Sequence, residues 1–378
     1  MGRVLVLNTG SSSVKYRLVD GDRRRASGMV ERIGEPGSAA AGHEEALKVV
    51  AAELAAGGFG LDSPELTAIG HRVVHGGTTF TEPTLITEEV VRKIEELVPL
   101  APLHNPANLA GIEVARRLRP DLPQVAVFDT AFHATISPAA ATYAIDRETA
   151  ERLRIRRYGF HGTSHAYVSR EAALAVGRPL GNVIVLHLGN GASASAVSAG
   201  RCVETSMGMT PLEGLVMGTR SGDLDPAVVL YLGRTGGMSL DEIDTLLNRR
   251  SGMFGLCGDN DMRAVQERLA AGDADAELAF SVYCHRLRKY VGAYYAVLGT
   301  VDVIAFTGGV GENSPLVRRT ALAGLEALGI AVDPARNERG ERLISPDGSV
   351  VKVAVIPTDE ELEIAQQTLA VISRTNRQ

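Results

Sequence analysis

The sequence has no tryptophan, few aromatic residues (4%) and only three cysteines, Cys202, Cys257 and Cys284. They form no C-x-x-C pair, so neither a zinc site nor a disulfide framework is expected, and this cysteine usage fits a reducing compartment. No apolar run approaches the ~20 residues that span a bilayer. A strand rather than a signal peptide is predicted at the N-terminus. We therefore expect a cytoplasmic protein with no membrane partner.

An excess of basic residues is also missing. The chain has 39 Lys and Arg residues against 45 Asp and Glu residues, which gives a formal net charge of −6. Proteins that bind nucleic acid usually carry a basic face, so no nucleic-acid partner is expected. The basic stretch RLRIRRY at 152–158 is interpreted as a solvated helix end or strand edge. No G-x-x-x-x-G-K-[ST] motif occurs, which excludes a P-loop site.

The chain does contain a repeated pattern. VLVLNTGSSSVKYRLVDG (4–21) and VIVLHLGNGASASAVSAG (183–200) align without a gap, and each predicts a strand, a small-residue turn and a second strand. Turns that present successive backbone N–H groups form concave anion sites. Chance similarity of two glycine-rich hairpins is one explanation, and an internal duplication is the more specific one. Strands alternate with helical patterns elsewhere, which indicates α/β layers.

Glycine-rich loops and isolated arginines are the first candidates for binding anions. HLGNGAS (187–193) and FTGGVGENS (306–314) each follow an apolar strand. Glycine there lets the backbone approach a ligand closely, which predicts nucleotide phosphate binding. Arg72 and Arg220 lie among small and apolar residues, a setting typical of arginines that bind carboxylate or phosphate. A buried structural salt bridge is the alternative for each arginine.

An aspartate and two histidines are further candidates. Asp129 ends a buried strand, where open α/β sheets bind ligands, so it is predicted either to organise Mg²⁺ or to cap the following turn. His161 and His165 are four residues apart, a spacing that can bind a metal on a helix. No third ligand is evident. Donation of a hydrogen bond to a phosphoryl oxygen is therefore the preferred hypothesis for His161.

Two segments have the spacing of a helix capping box. One contains Ser239 and Glu242, and the other contains Thr358 and Glu361, which would give Glu361 a structural role. The neighbouring Glu360 would then lie in the first helical turn, where the helix dipole favours acidic residues regardless of function. Glu360 is a candidate metal ligand, and the alternative is that it only stabilises the start of the helix.

Nine segments together resemble, in order, the blocks of the acetate kinase family: NTGSSSVKYRL, HRVVHGG, PLHNP, FDTAFH, YGFHGTSH, HLGNGAS, TSMGMTPLEGLVMGTRSGDLDP, FTGGVGENS and IPTDEEL. The resemblance implies the fold shared by sugar kinases, actin and the Hsp70 ATPase domain, with two similar actin-like, ribonuclease H-like α/β domains flanking an active-site cleft. The N-terminal domain is expected at 1–150, joined by the C-terminal helix at about 366–378. The nucleotide-binding domain is expected at 151–365.

The resemblance also implies a reaction, Mg²⁺-dependent and reversible transfer of a phosphoryl group from ATP to acetate to give acetyl phosphate and ADP, and it implies a homodimer. Mn²⁺ would substitute for Mg²⁺. The residues with implied catalytic roles are Asp129, Arg72, Arg220 and His161. The implied metal ligands are Asn8 and Glu360. The residues implied for the acetate pocket are Arg72, Val74, Leu103, Phe160 and Pro211. The residues implied to bind ATP are Ser11, Ser13, Lys15, His187, Leu188, Gly189, Asn190, Gly191, Asp261, Met262, Arg263, Gly309, Val310, Gly311, Glu312 and Asn313.

The resemblance leaves alternatives open for the role of Asp129 and for the function. The carboxylate of acetate is already ionised at neutral pH, which favours Asp129 as an organiser of magnesium over Asp129 as a base. A propionate or butyrate kinase of the same family is the nearest alternative function, because one methylene changes pocket affinity little. An actin-like or Hsp70-like ATPase is the alternative from another class. The chain departs from the family at Gly308, where alanine is frequent, and is shorter between Asp20 and His71.

Overall fold

Residues 2–35 and 37–375 are described by the computed structural model, and within them eleven strands form two sheets. The strands are β1 (Arg3–Thr9), β2 (Ser13–Asp20), β3 (Arg23–Glu31), β4 (Leu66–Val73), β5 (Thr84–Leu85), β6 (Gln124–Phe128), β7 (Asn182–Leu188), β8 (Ala192–Ser198), β9 (Arg201–Thr205), β10 (Val303–Thr307) and β11 (Lys352–Val355).

Fifteen α-helices accompany the strands in the same described ranges. They are α1 (His43–Ala56), α2 (Glu88–Glu95), α3 (Asn105–Leu118), α4 (Pro138–Ala141), α5 (Arg147–Leu153), α6 (Gly162–Ala175), α7 (Pro226–Arg234), α8 (Leu240–Arg249), α9 (Gly252–Cys257), α10 (Met262–Ala270), α11 (Ala274–Leu298), α12 (Gly308–Asn313), α13 (Pro315–Leu322), α14 (Pro334–Glu338) and α15 (Glu360–Thr375).

The two sheets repeat one strand order. The first sheet has the order β3-β2-β1-β4-β6-β5. The second, read from its corresponding edge, has the order β9-β8-β7-β10-β11. In each, three consecutive antiparallel strands are followed by two strands that run parallel to the first of them. The predicted hairpins at 4–21 and 183–200 are β1–β2 and β7–β8. The internal duplication is therefore confirmed, with β5 as an additional edge strand of the first sheet.

The chain forms two compact units. Unit one contains the residues up to Ala134, Gly162–Ser164 and the residues from Asp359 onwards, and unit two contains Thr135–His161 and His165–Thr358. The sequence-based boundaries were 150 and about 366. The division of the chain into functional domains at these boundaries stays a prediction. Residues 376–378 of the expected C-terminal helix lie outside the described residues.

The core of unit one covers both faces of its sheet. Side chains alternate along a strand, so Leu5 and Leu7 of β1 pack towards α1 and α3 on one face. Val4 and Val6 pack against Ile364 of α15 on the other face. The apolar run of β1 ends at Asn8. The polar end of β1 therefore lies at the carboxyl edge of the sheet, where ligands bind in open α/β folds.

The core of unit two is built on β7 and β10, whose apolar side chains are almost completely buried. The long helix α11 packs against β7 and β8. Strands β7 and β10 run parallel, with His187 opposite Thr307. The glycine-rich segments that follow these two residues therefore start at the same edge of the sheet.

Within the described residues, no helix is both long enough and apolar enough to span a bilayer.

Candidate active site

Arg72 and Asp129 form a buried ion pair in unit one. Arg72 lies near the end of β4 and Asp129 directly follows β6, and these strands are parallel neighbours. Nε and Nη2 of Arg72 lie 2.9 and 2.7 Å from the two carboxylate oxygens of Asp129, which is 1% exposed. Burial alone would lower the pKa of Arg72, but the charges of Asp129 and Glu360 raise it above its usual range. The guanidinium therefore stays charged, and its third nitrogen, Nη1, makes no hydrogen bond to another described residue.

Glu360 and Asn8 are the predicted metal ligands of unit one. Glu360 is the first residue of α15, and its carboxylate accepts one hydrogen bond, from Thr163 Oγ1 at 3.4 Å. Asn8 lies in β1. In the described ranges, no group of three or more His, Cys, Asp or Glu side chains could hold a metal ion. One carboxylate and one amide oxygen suit Mg²⁺, which keeps several waters and completes its shell with phosphates.

Lys15 and Glu361 are ion-paired, which changes the role expected for Glu361. The carboxylate of Glu361 is buried and accepts from Lys15 and from Arg17. Burial would raise the pKa of Glu361, but these two cations outweigh it and lower the pKa. The predicted capping box of Thr358 and Glu361 is therefore wrong. Asp359 caps α15 instead, since its carboxylate accepts from the backbone N–H of Leu362 at 2.9 Å.

Two asparagines at the start of α3 hold the segment that contains Val74. Asn108 accepts from the backbone N–H of Val74 at 3.0 Å and donates to the backbone carbonyl of Thr9 at 2.7 Å. Asn105 accepts from the N–H of His75 and donates to its carbonyl. These contacts were missed by sequence reasoning, and their signal is the pair of asparagines three apart at a helix start.

The residues expected in the acetate pocket belong to both units. Val74 and Leu103 lie in unit one, and Phe160 and Pro211 lie in unit two. Leu103 is 63% exposed, whereas Phe160 is 3% exposed. A pocket role for these four side chains stays a prediction.

Arg220 has a different environment from Arg72. Its Nη1 donates to the backbone carbonyl of Pro211 at 2.6 Å. A side-chain carbon at Gly191 would lie 2.5 Å from Nη2, so any larger residue there would displace the guanidinium. Within the described part of the chain no carboxylate lies within ion-pair distance of Arg220, and burial lowers its pKa. A half-buried guanidinium that lacks a carboxylate partner is a strong site for an anionic ligand.

His161 is held in a left-handed backbone conformation, with φ 57°, immediately before α6. This conformation is uncommon for a residue with a side chain and is typical of functional positions. The His161 ring contacts the ring of His187, with a centroid distance of 4.4 Å and an angle of 31° between the ring planes. Its Nδ1 lies 2.9 Å from Oγ of Ser193.

Unit two contains a cavity of about 500 Å³, within the usual size range of small-molecule sites. The residues that line it are Gly189, Asn190, Asn260, Asp261, Met262, Arg263, Gln266, Gly309, Val310, Asn313 and Ser314. Eight of these were predicted to bind ATP, and Asn260, Gln266 and Ser314 were missed, although Asn260 and Ser314 lie beside predicted residues and Gln266 lies three positions after Arg263. The cavity brings together segments that lie far apart in sequence, since the loop after β7 and the helix α12 after β10 meet α10.

Several residues predicted to bind ATP do not line this cavity. His187, Leu188 and Gly311 are buried. The carboxylate of Glu312 accepts from the backbone N–H groups of Gly308 at 2.9 Å and Thr358 at 3.3 Å. The glycine-rich segment predicted as a loop is a short helix, α12, because Gly308 turns the chain at φ +77° and Glu312 binds the helix start.

The repeated sheet, the cavity at the strand ends and the two guanidinium groups define a phosphotransferase of the duplicated actin-like fold. A sequence model of the acetokinase family matches residues 3–366. The chain therefore belongs to the acetokinase family, which transfers phosphoryl groups to a carboxyl acceptor.

Relatives and solved structures agree over nearly the whole chain. The chain is 66% identical to an acetate kinase of Streptomyces coelicolor, over 99% of this chain and 98% of that protein. It is similar to the structure of Porphyromonas gingivalis acetate kinase, with a TM-score of 0.93, 42% identity and coverage of 98% of this chain and 100% of the other. A propionate kinase structure from Francisella tularensis has the same TM-score, identity and coverage.

Proposed function

We propose that the protein catalyses the reversible, direct in-line transfer of the γ-phosphoryl group of ATP to acetate, giving acetyl phosphate and ADP. The observation that carries this proposal is the half-buried guanidinium of Arg220, which has no carboxylate partner among the described residues. Such a group is suited to an oxyanion that arrives with a substrate. Family membership supports acetate as the acceptor.

The main obstacle to this reaction is the approach of one anion to another. The acetate carboxylate is already ionised at neutral pH, so the nucleophile requires no base. Positioning and charge stabilisation dominate phosphoryl transfer. We assign acetate to Nη1 of Arg72, the transferred phosphoryl group to Arg220 and His161, and ATP to the cavity of unit two. Lys15, with Ser11 and Ser13, is assigned to the phosphates.

We assign the divalent cation, Mg²⁺ with Mn²⁺ as a substitute, to Asn8 and Glu360. When bound there, the cation would supply positive charge to the phosphate oxygens. Asp129 is assigned to organising the site rather than to accepting a proton, because both of its oxygens already accept hydrogen bonds from Arg72. This arrangement holds Arg72 in one orientation and leaves Nη1 available.

We propose a homodimer in the cytoplasm. All three cysteines are buried thiols, as suits a reducing compartment. Helix α7 buries none of its residues, and Val228, Leu230 and Tyr231 on it are exposed, as is Leu240 of α8. Exposed apolar side chains grouped in this way are typical of protein interfaces.

The test incubates the pure protein with Mg-ATP, hydroxylamine and acetate, propionate or butyrate in turn. Hydroxylamine traps an acyl phosphate as its coloured hydroxamate. Hydroxamate formed fastest from acetate supports the proposal. Faster reaction with propionate supports the second candidate, a propionate kinase, which the Francisella tularensis structure favours. Steady ADP release that is independent of acid, without hydroxamate, would refute both and indicate an ATPase.

A further inference from the structure

Four side chains of unit two form a hydrogen-bonded chain that begins at His161. Nδ1 of His161 lies 2.9 Å from Oγ of Ser193, and the same Oγ lies 2.7 Å from Nε2 of His165. Nδ1 of His165 then lies 2.7 Å from Oγ of Ser195. Ser193, His165 and Ser195 are completely buried. Each link has the length of a hydrogen bond, so the hydrogen position on one group determines the position on the next.

Two continuous directions satisfy the three links, because a Ser193 hydroxyl that accepted from both histidines would leave its own hydrogen without an acceptor among the described residues. In the first, Ser195 donates to Nδ1 of His165, Nε2–H of His165 donates to Ser193, and Ser193 donates to Nδ1 of His161. In the second, every donor becomes an acceptor, and Ser195 then holds a hydroxyl hydrogen that needs a further acceptor. Across residues 2–35 and 37–375, Oγ of Ser195 has His165 as its one hydrogen-bond partner. Because a buried donor without an acceptor is costly, the first direction is the stable one.

We infer that Ser193, His165 and Ser195 are positioning residues that hold His161 as the neutral tautomer with its hydrogen on Nε2. The partner of one ring nitrogen determines the hydrogen on the other. Nδ1 of His161 accepts from Ser193, so the ring hydrogen lies on Nε2, from which His161 would donate to a phosphoryl oxygen. The catalytic consequence rests on the proposed function, whereas the tautomer assignment stands on the hydrogen-bonded chain alone.

The tautomer is tested by NMR on the full-length protein labelled with ¹⁵N-histidine. Two-bond ¹H–¹⁵N correlations distinguish the two neutral tautomers, and the His161→Ala spectrum assigns the signal. We expect the Nε2–H tautomer in the wild-type protein and a mixture of tautomers in Ser195→Ala, although Ser195 does not touch His161. An Nδ1–H tautomer or an imidazolium in the wild-type protein at about pH 7.5 would overturn the inference. This measurement does not depend on the reaction, so it separates failure of the tautomer inference from failure of the proposed function.

The kinetic test is a double-mutant cycle with the hydroxamate assay. We expect Ser193→Ala to lower kcat about tenfold, with an unchanged KM for ATP, and to have no further effect in the His161→Ala background. Ser169→Ala is the matched control, because Ser169 is a buried serine on α6 whose hydroxyl, among the described residues, donates to Ala166 of the same helix alone. It should keep wild-type kcat. An equal loss from Ser193→Ala with and without His161 would refute the positioning role.

Discussion

His71 makes the stability of unit one depend on pH. It lies in the middle of the first sheet on β4, is 2% exposed, and its Nε2 is 2.8 Å from the side-chain oxygen of Gln124. Burial lowers the pKa of His71 from the usual 6.5 to about 4, against a small opposing effect of the bond to Gln124. Because the folded pKa lies below the unfolded pKa, the unfolded state binds the proton first as the pH falls. Stability is therefore complete above pH 6.5 and decreases towards pH 4.

The size of the effect follows from the two pKa values. The difference between 6.5 and about 4 corresponds to about 3 kcal/mol of unfolding free energy. Between about pH 8 and pH 5, about 2 kcal/mol of this is lost. His75, whose burial also lowers its pKa to about 4, adds a similar loss of its own.

The assay is urea unfolding followed by circular dichroism at about pH 8 and pH 5, for the wild-type protein and for His71→Gln. Glutamine at this position still offers Gln124 a hydrogen bond but does not titrate. The variant is expected to be less stable at pH 8 through lost packing, yet to lose about 2 kcal/mol less than the wild-type protein on acidification. If His71→Gln retains the full pH dependence, the buried histidine is not its source and the reasoning is wrong.

Three substitutions test the site itself. Arg220→Ala should lower kcat by about 10²–10³, which corresponds to about 2.7–4 kcal/mol. The KM for ATP should stay near normal, because Arg220 does not line the cavity of unit two. Full turnover by this variant would show that Arg220 takes no part in the reaction. Asp129→Asn should shift the Mg²⁺ concentration that the enzyme needs, and a change confined to the pH profile would instead indicate a base. Asn108→Asp places a buried carboxylate oxygen against the carbonyl of Thr9, so we expect a raised KM for acetate and a stability loss of about 1–3 kcal/mol by thermal unfolding. An unchanged KM for acetate would show that Asn108 does not position Val74.

Local features of the structure could be predicted from the sequence. The capping box of Ser239 and Glu242 forms as expected, because both partners lie within one helical turn. The hairpin repeat was visible for the same reason, since a strand, a turn and a second strand occupy 18 residues. Carboxylates at strand ends were also recognised, because the apolar run that precedes Asp129 stops there.

Contacts between distant segments could not be predicted. Glu361 had the spacing of a capping residue, yet Lys15 and Arg17 lie more than 300 positions away and bind its carboxylate. The sequence contexts of Arg72 and Arg220 looked alike, and only the fold brings Asp129 to the first and leaves the second without a carboxylate. Asn108 required knowledge of which strand ends face α3.

Glu312 has a consequence for how variants of this protein are interpreted. Its carboxylate joins the first residue of α12 to Thr358, which directly precedes the α15 cap. We expect a substitution there to disturb the start of α12 and so to weaken nucleotide binding, and steady-state kinetics alone would attribute this defect to a lost ligand contact. Glu312 holds the backbone of these two segments together. The loss of activity would therefore come from a displaced backbone and not from a lost contact with the ligand.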